Sequence, residues 1–411
     1  MSQTTASFEQ DATEVLARCR AALAEIVAAL PGDVQRSQDL ARALGVDKKL
    51  AWRVMNVVQS TDLFEAAQHL PGRSGVRIVL DAARSRNVPG TALNAVVEAL
   101  DGYERLVEVH AGDKASLELM LSTHARQGRE RIDLEHRRAA FRANSYLWGI
   151  QAKAIFRSYI LHPSTDADLF DFVSVRGFVD LRRIRAHTPW VIHKTKVVDD
   201  DGRQRRNVSA QLLDPAAGEP DDPMAVPWLT QFCSKPPPPV RRVAAGPGDV
   251  HYEIMSGSVG NTGLSTCVLG SIVRAAAPRY CEPQNDCVEL VIRANLPAER
   301  LVLDQIVHRD LFGDLPPTLT VYSELTGETP PHAMADARQE VPVSETATYL
   351  GRGPAVMHAP GIPRYTAMME FALQRAGWDP AQFLVHRVEM PYPPIPSAVV
   401  LNTPLPERPG K

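Results

Sequence analysis

The apolar residues of this chain keep one period up to about residue 161 and another beyond it, and that switch, marked by His162-Pro163, limits what the chain can build. Before the switch, apolar side chains recur every three or four positions, the spacing of helices that bury one face; after it they tend to alternate, as in strands. In residues 11–30, DATEVLARCRAALAEIVAAL, Val15, Leu16, Cys19, Leu23, Ile26 and Leu30 fall at helical spacing, and Pro31-Gly32 ends the run. Shorter helical patterns follow at 37–44, 47–59, 75–86, 91–110 and 113–125, divided by Pro71-Gly72, Pro89-Gly90 and Gly112. At 411 residues the chain exceeds what one hydrophobic core usually holds, so two or three domains are expected.

The pattern predicts a long helix over about 130–161, with Phe141, Tyr146, Leu147, Ile150, Phe156 and Tyr159 on one face and Arg and Lys on the other. The basic face reads either as a solvated side of a docking helix or as a phosphate-contacting surface. Charge is concentrated here: Arg126 to Lys196 holds fourteen Lys and Arg against seven Asp and Glu, whereas the whole chain carries a net charge of −3. Any binding to nucleic acid must therefore come from a local patch.

After residue 163, FDFVSVRGFVDLRRIR and TPWVIHKTKVVDDDGRQ read as β-rich, the second closing in a turn at Asp200, Asp201 and Gly202. Residues 214–249 are rich in Pro, Gly and small side chains and read as an extended linker or covering loop. Strand-like runs then dominate to the C-terminus, with one helix expected at 364–376. The expected fold class is multidomain, an all-α N-terminal head followed by an α+β C-terminal region with a mainly antiparallel sheet. The expected divisions are a helical domain at 10–125, a basic connecting helix at 126–163, a β-rich segment at 164–213, the linker at 214–249 and an α+β domain at 250–411.

Residues 39–56, DLARALGVDKKLAWRVMN, carry the most information. Leu40, Ala41 and Leu44 suit a first helix, Gly45 a turn requiring positive φ, Val46 the space between two helices, and Asp47 the cap of a second helix. Ala51, Val54 and Met55 or Val58 then face inward, leaving Lys48, Lys49, Trp52, Arg53 and Asn56 outward. This stretch resembles the helix-turn-helix of bacterial transcription regulators, a resemblance confined to about residues 36–59. It implies that the second helix enters the major groove of double-stranded DNA, with Lys48, Lys49, Trp52, Arg53 and Asn56 toward the bases and Arg36, Ser37 and Gln38 holding phosphates. It also implies a two-fold homodimer, for which helices in 91–161 offer an interface with Tyr146, Trp148, Phe156 and Tyr159 as anchors. The same fold serves elsewhere as a packing module. Arg73, Ser74, Gly75 and Arg77 would make a basic wing, unless GVRIVLDAARS continues as helix, which its periodicity favours.

Other motifs are weaker. SGSVGNTGLST has glycines at 257, 260 and 263 but neither the dinucleotide fingerprint nor a P-loop Lys-Ser/Thr, and is expected to be a hairpin turn. HRDLFGD at 308–314 lacks the rest of a kinase catalytic loop. Cys281 and Cys287 stand too far apart for paired zinc thiolates, and the five scattered cysteines suit a reducing compartment. No catalytic residue, metal site or cofactor is predicted. The N-terminus lacks a leader pattern and no run reaches the roughly 20 apolar residues of a membrane helix, so a soluble cytoplasmic protein without membrane contact is expected. The expected function is a DNA-binding transcription regulator whose C-terminal region senses an unidentified effector or mediates assembly. The alternatives are an assembly protein that uses the helical head for packing, and an enzyme with a site in 250–411.

Overall fold

The computed structural model describes residues 7–124, 129–196, 210–218, 225–246, 249–283, 285–312, 316–325 and 339–408. The turn expected at Asp200, Asp201 and Gly202 lies outside them. The chain divides into two compact units, residues 1–133 and 134–411.

The first unit is helical. Helix α1 (Phe8–Ala28) starts where the Ser7 hydroxyl accepts from the Gln10 N–H, and buries Leu16, Cys19, Leu23 and Ile26 on one face. It is followed by α2 (Ser37–Leu44), α3 (Lys48–Gln59), α4 (Leu63–Ala67), α5 (Arg73–Ser85) and α6 (Gly90–Leu106), a π turn at Val107–Ala111, and α7 (Lys114–His124). One core joins them, and the Cys19 thiol donates to the Ala99 carbonyl at 3.4 Å where α1 meets α6. Residues 73–77 are the first turn of α5, which decides between wing and helix: the segment is helical.

Helix α8 (Arg129–Trp148) runs into the second unit, and there the helix expected to reach 161 stops. Gly149 adopts φ +70°, and a Cβ at that position would meet the Arg185 guanidinium at 2.5 Å, so the chain turns where only glycine fits. Residues 150–163 are β1 (Ile150–Gln151) and β2 (Ala154–Pro163), which corrects the second half of the basic connecting helix. The physical reason is double burial. On β2, Ile155, Tyr159 and Leu161 enter one core while Ala154, Phe156 and Ile160 enter another, so the run lacks alternation and imitates a helical stripe.

The remaining strands are β3 (Leu169–Arg183), β4 (Trp190–Lys196), β5 (Gln211–Leu212), β6 (Val240–Gly246), β7 (Asp249–Ile254), β8 (Ser265–Pro278), β9 (Cys287–Ala294), β10 (Arg300–His308), β11 (Thr318–Ser323), β12 (Thr348–Arg352), β13 (Phe383–Pro391) and β14 (Ser397–Pro404), with helix α9 (Tyr365–Ala376) before β13. The main sheet has the order β12-β13-β10-β2-β3-β8-β5, with β1 also on β3; two smaller sheets have the orders β11-β14-β9 and β4-β7-β6. Pairing is antiparallel except between β2 and β10. Helix α9 covers one face of the main sheet, and side chains of both smaller sheets pack on the other. Strands expected in separate domains thus share one sheet, since β3 pairs β8 from Leu169–Pro278 to Leu181–Ser265.

Within the described part of the proline-rich stretch, residues 229–233 are a cover, and residues 240–246 are β6. Leu229, Phe232 and Cys233 are buried on the α9 face, and the Leu229 N–H donates to the Val268 carbonyl at 2.9 Å. The glycine loop at 257–263 also differs from expectation: β7 and β8, which flank it, belong to different sheets, so it is a crossover and not a hairpin.

Across the α9 face runs one buried polar chain. Asp304 on β10 stands opposite Arg387 on β13, which donates to it through Nε at 2.8 Å and Nη2 at 2.6 Å. The Tyr365 hydroxyl from α9 donates to Asp304 and lies 2.7 Å from Ser158 Oγ on β2. Burial and the neighbouring Asp304 charge push the Tyr365 hydroxyl pKa well up, so it stays a neutral donor. Each charge is paired and hydrogen-bonded, the condition under which burial of charge is tolerated.

Candidate nucleic-acid interface

Helices α2 and α3 meet through Gly45, at φ +72° and ψ +32°, a left-handed conformation that glycine adopts without cost. The Asp47 carboxylate accepts from the Lys49 N–H at 2.8 Å and caps α3. Leu40, Ala41 and Leu44 of α2 and Ala51, Val54, Met55 and Val57 of α3 are buried, so both apolar faces are consumed within the unit. Val58 is half-buried.

The predicted outward residues divide into two groups. Lys48 and Lys49 are exposed at the first turn of α3, and Arg36 and Gln38 are exposed at the start of α2. Ser37 is half-buried, and the Arg36 N–H donates to the Asp39 carboxylate at 3.2 Å. The other group makes contacts within the unit. Arg53 donates through Nε to the His69 carbonyl at 3.2 Å and through Nη2 to the Leu70 carbonyl at 2.7 Å, closing the segment after α4 onto α3. Trp52 is 47% exposed, but its ring meets His69 edge-on at 5.0 Å. The Asn56 side-chain N–H donates back to the Trp52 carbonyl at 2.8 Å. Thus Lys48 and Lys49 lie on the open edge, whereas Arg53 holds structure.

Sequence spacing did not point to Arg86. It is exposed just beyond α5, and its guanidinium lies 3.6 Å from where a Cβ on Gly45 would sit, which brings a further cation to the turn. Only the return of α5 across α3 at Gly75, whose added Cβ would touch Leu50 at 3.2 Å, places it there. Arg73, by contrast, is paired with Glu104 at 2.8 Å.

Of the four aromatic residues expected as interface anchors, Tyr146 and Trp148 are 76% and 59% exposed at the end of α8, with Leu147 between them at 63%. Phe156 and Tyr159 are buried within the main sheet and its cores, which removes them from any such surface. None of the five cysteines is in a disulfide. Among the described residues, no helix is long and apolar enough to cross a membrane.

The arrangement sets two exposed ammonium groups and the nearby Arg86 guanidinium around a helix N-terminus whose own partial positive charge is already met by the Asp47 carboxylate. Comparison with protein-family models, with curated proteins and with solved structures found no match.

Proposed function

We propose that α2 and α3 form a helix-turn-helix that docks on duplex DNA, making the protein a DNA-binding regulator of transcription in the cytoplasm, acting as a homodimer. The observation that carries this reading is the open first turn of α3: Lys48 and Lys49 are exposed while the opposite face of the helix is buried. Lys48, Lys49 and Arg86 contact phosphates and groove edges, with Trp52, Arg36 and Gln38 at the margins. Arg53 supports the unit from behind and does not read bases. The exposed Tyr146, Leu147 and Trp148 form the dimer contact.

The test is binding to mixed duplex DNA across a salt series. Affinity falls steeply as salt rises, and Lys48→Ala/Lys49→Ala reduces the slope of log affinity against log salt by about 2, one unit per lost phosphate contact, while leaving thermal stability unchanged. Two chains bind per duplex. An unaltered affinity and slope in the double variant would sink the DNA reading. Arg53 and Trp52, already engaged within the unit, would then favour the packing-module alternative.

A further inference from the structure

A cavity of about 460 Å³ opens in the second unit, within the size range of roughly 300–1,000 Å³ typical of small-molecule sites. Its floor is β2 and β3, one wall is β4 from Trp190 to Lys194, and another is β9 with the turn after it. On the floor, Arg157 and Arg176 are direct cross-strand partners in the β2–β3 ladder. Like charges placed opposite one another on a sheet repel. Among the described residues, no carboxylate lines the cavity to balance them.

The contacts that the two guanidiniums do make are neutral. Arg157 donates through Nη1 to the Val291 carbonyl at 3.2 Å and through Nε to Ser174 Oγ at 3.3 Å, and stacks on the Tyr159 ring at 4.6 Å. Arg176 donates through Nη2 to His193 Nδ1 at 2.7 Å. Burial, and then the Arg157 charge, lower the Arg176 pKa to about 10, so it remains a cation at neutral pH. His193 is pushed down to about 4 by burial and by Arg176, and so stays neutral and accepts. Of the remaining cations, Arg293 is paired with Glu324 at 2.6 Å and Lys194 stands exposed at the edge.

A second observation is independent of charge. The indole Nε1 of Trp190, in the cavity wall, is buried without a hydrogen-bond partner among the described residues. Such a donor normally finds an acceptor when buried. Around it, Phe178, Ile155, Leu269, Ile292 and Leu296 give the cavity an apolar lining.

We propose that this cavity binds a small organic anion, a phosphate or carboxylate carried on a flat apolar body, whose charged end bridges Arg157 and Arg176 and whose body lies against Trp190 and Phe178. The planar guanidinium fork matches either oxyanion in two-point contact, and the ligand supplies a negative charge that no described residue of the lining provides. The lining offers no carboxylate, hydroxyl or thiol among the described residues, which suits recognition better than turnover. A ligand held here is the effector of a regulator, although its binding does not depend on the reading of α3.

The experiment uses the full chain without DNA. Adenosine monophosphate and indole-3-acetate are titrated while the heat of binding and thermal unfolding are followed, with adenosine and indole as uncharged counterparts. At least one anion is expected to bind and raise the melting temperature while its counterpart does not, and which anion does so tells phosphate from carboxylate. Arg176→Gln, which removes the charge and shortens the side chain, is expected to weaken that binding by about tenfold to a hundredfold, with the melting temperature of the ligand-free variant measured alongside to show that it is folded. Arg157→Gln, measured in parallel, is expected to weaken it similarly. Uncharged counterparts binding as tightly as the anions, full affinity in the variants, or no binding at millimolar concentration by the wild-type chain would each overturn the proposal. Loss of DNA binding in Lys48→Ala/Lys49→Ala is a separate readout, so either idea can fail alone.

Discussion

At the scale of single residues, His193 gives the clearest consequence. Its folded pKa of about 4 lies below the ordinary value of 6.5, because burial and the Arg176 cation oppose a second proton. The unfolded chain therefore binds more protons than the folded one between these values, and stability falls as pH drops from 6.5 to 4. By pH 5 this residue alone costs roughly 2 kcal/mol relative to pH 7. Thermal unfolding of the wild-type chain and of His193→Gln at the two pH values checks this: the variant loses less on acidification, and equal losses would contradict the assignment. The Asp304, Arg387, Tyr365 and Ser158 chain is the opposite case, where each buried charge has found its counter-charge.

At the scale of elements, close packing between strands dictates small residues as firmly as turns do. Gly177 on β3 lies opposite Phe156, and a Cβ there would stand 2.6 Å from both the Phe156 ring and the Cys267 carbonyl. Gly177→Ala is expected to destabilise by about 1–3 kcal/mol, read as a lower urea midpoint, because the backbone on β8 has no room to yield. Among the helices of residues 8–124, all but the five-residue α4 were legible because each carries an apolar stripe between breakers, as in α1 with its Leu16, Leu23 and Ile26. β2 was not, since Phe156 and Tyr159 serve different cores from opposite faces of the sheet and the run reads alike as helix or strand. The open edge of α3 followed from spacing at Lys48 and Lys49, but the commitment of Arg53 to the His69 and Leu70 carbonyls depends on where α4 ends, which spacing does not encode. Arg157 and Arg176 were visible only as part of a basic excess in the middle of the chain. Their meeting is a matter of register, set by β2 pairing β3.

At the scale of the whole molecule, two units with separate cores imply two events on heating. Calorimetry is expected to resolve two transitions, of which duplex DNA raises only that of residues 1–133 and the anionic ligand only the other. A single transition moved by both additions would show instead that the cores melt together. The second unit carries a further constraint in the parallel pairing of β2 with β10, which sets Ile155 to Leu161 against Leu301 to Val307. The strand at the heart of the sheet must wait for a partner that leaves the ribosome long after it, and no short loop shortens that delay. Until then the hairpin of β2 and β3 has an unfilled inner edge, so the nascent chain is most prone to wrong partners between synthesis of the first strand and of the last that completes it.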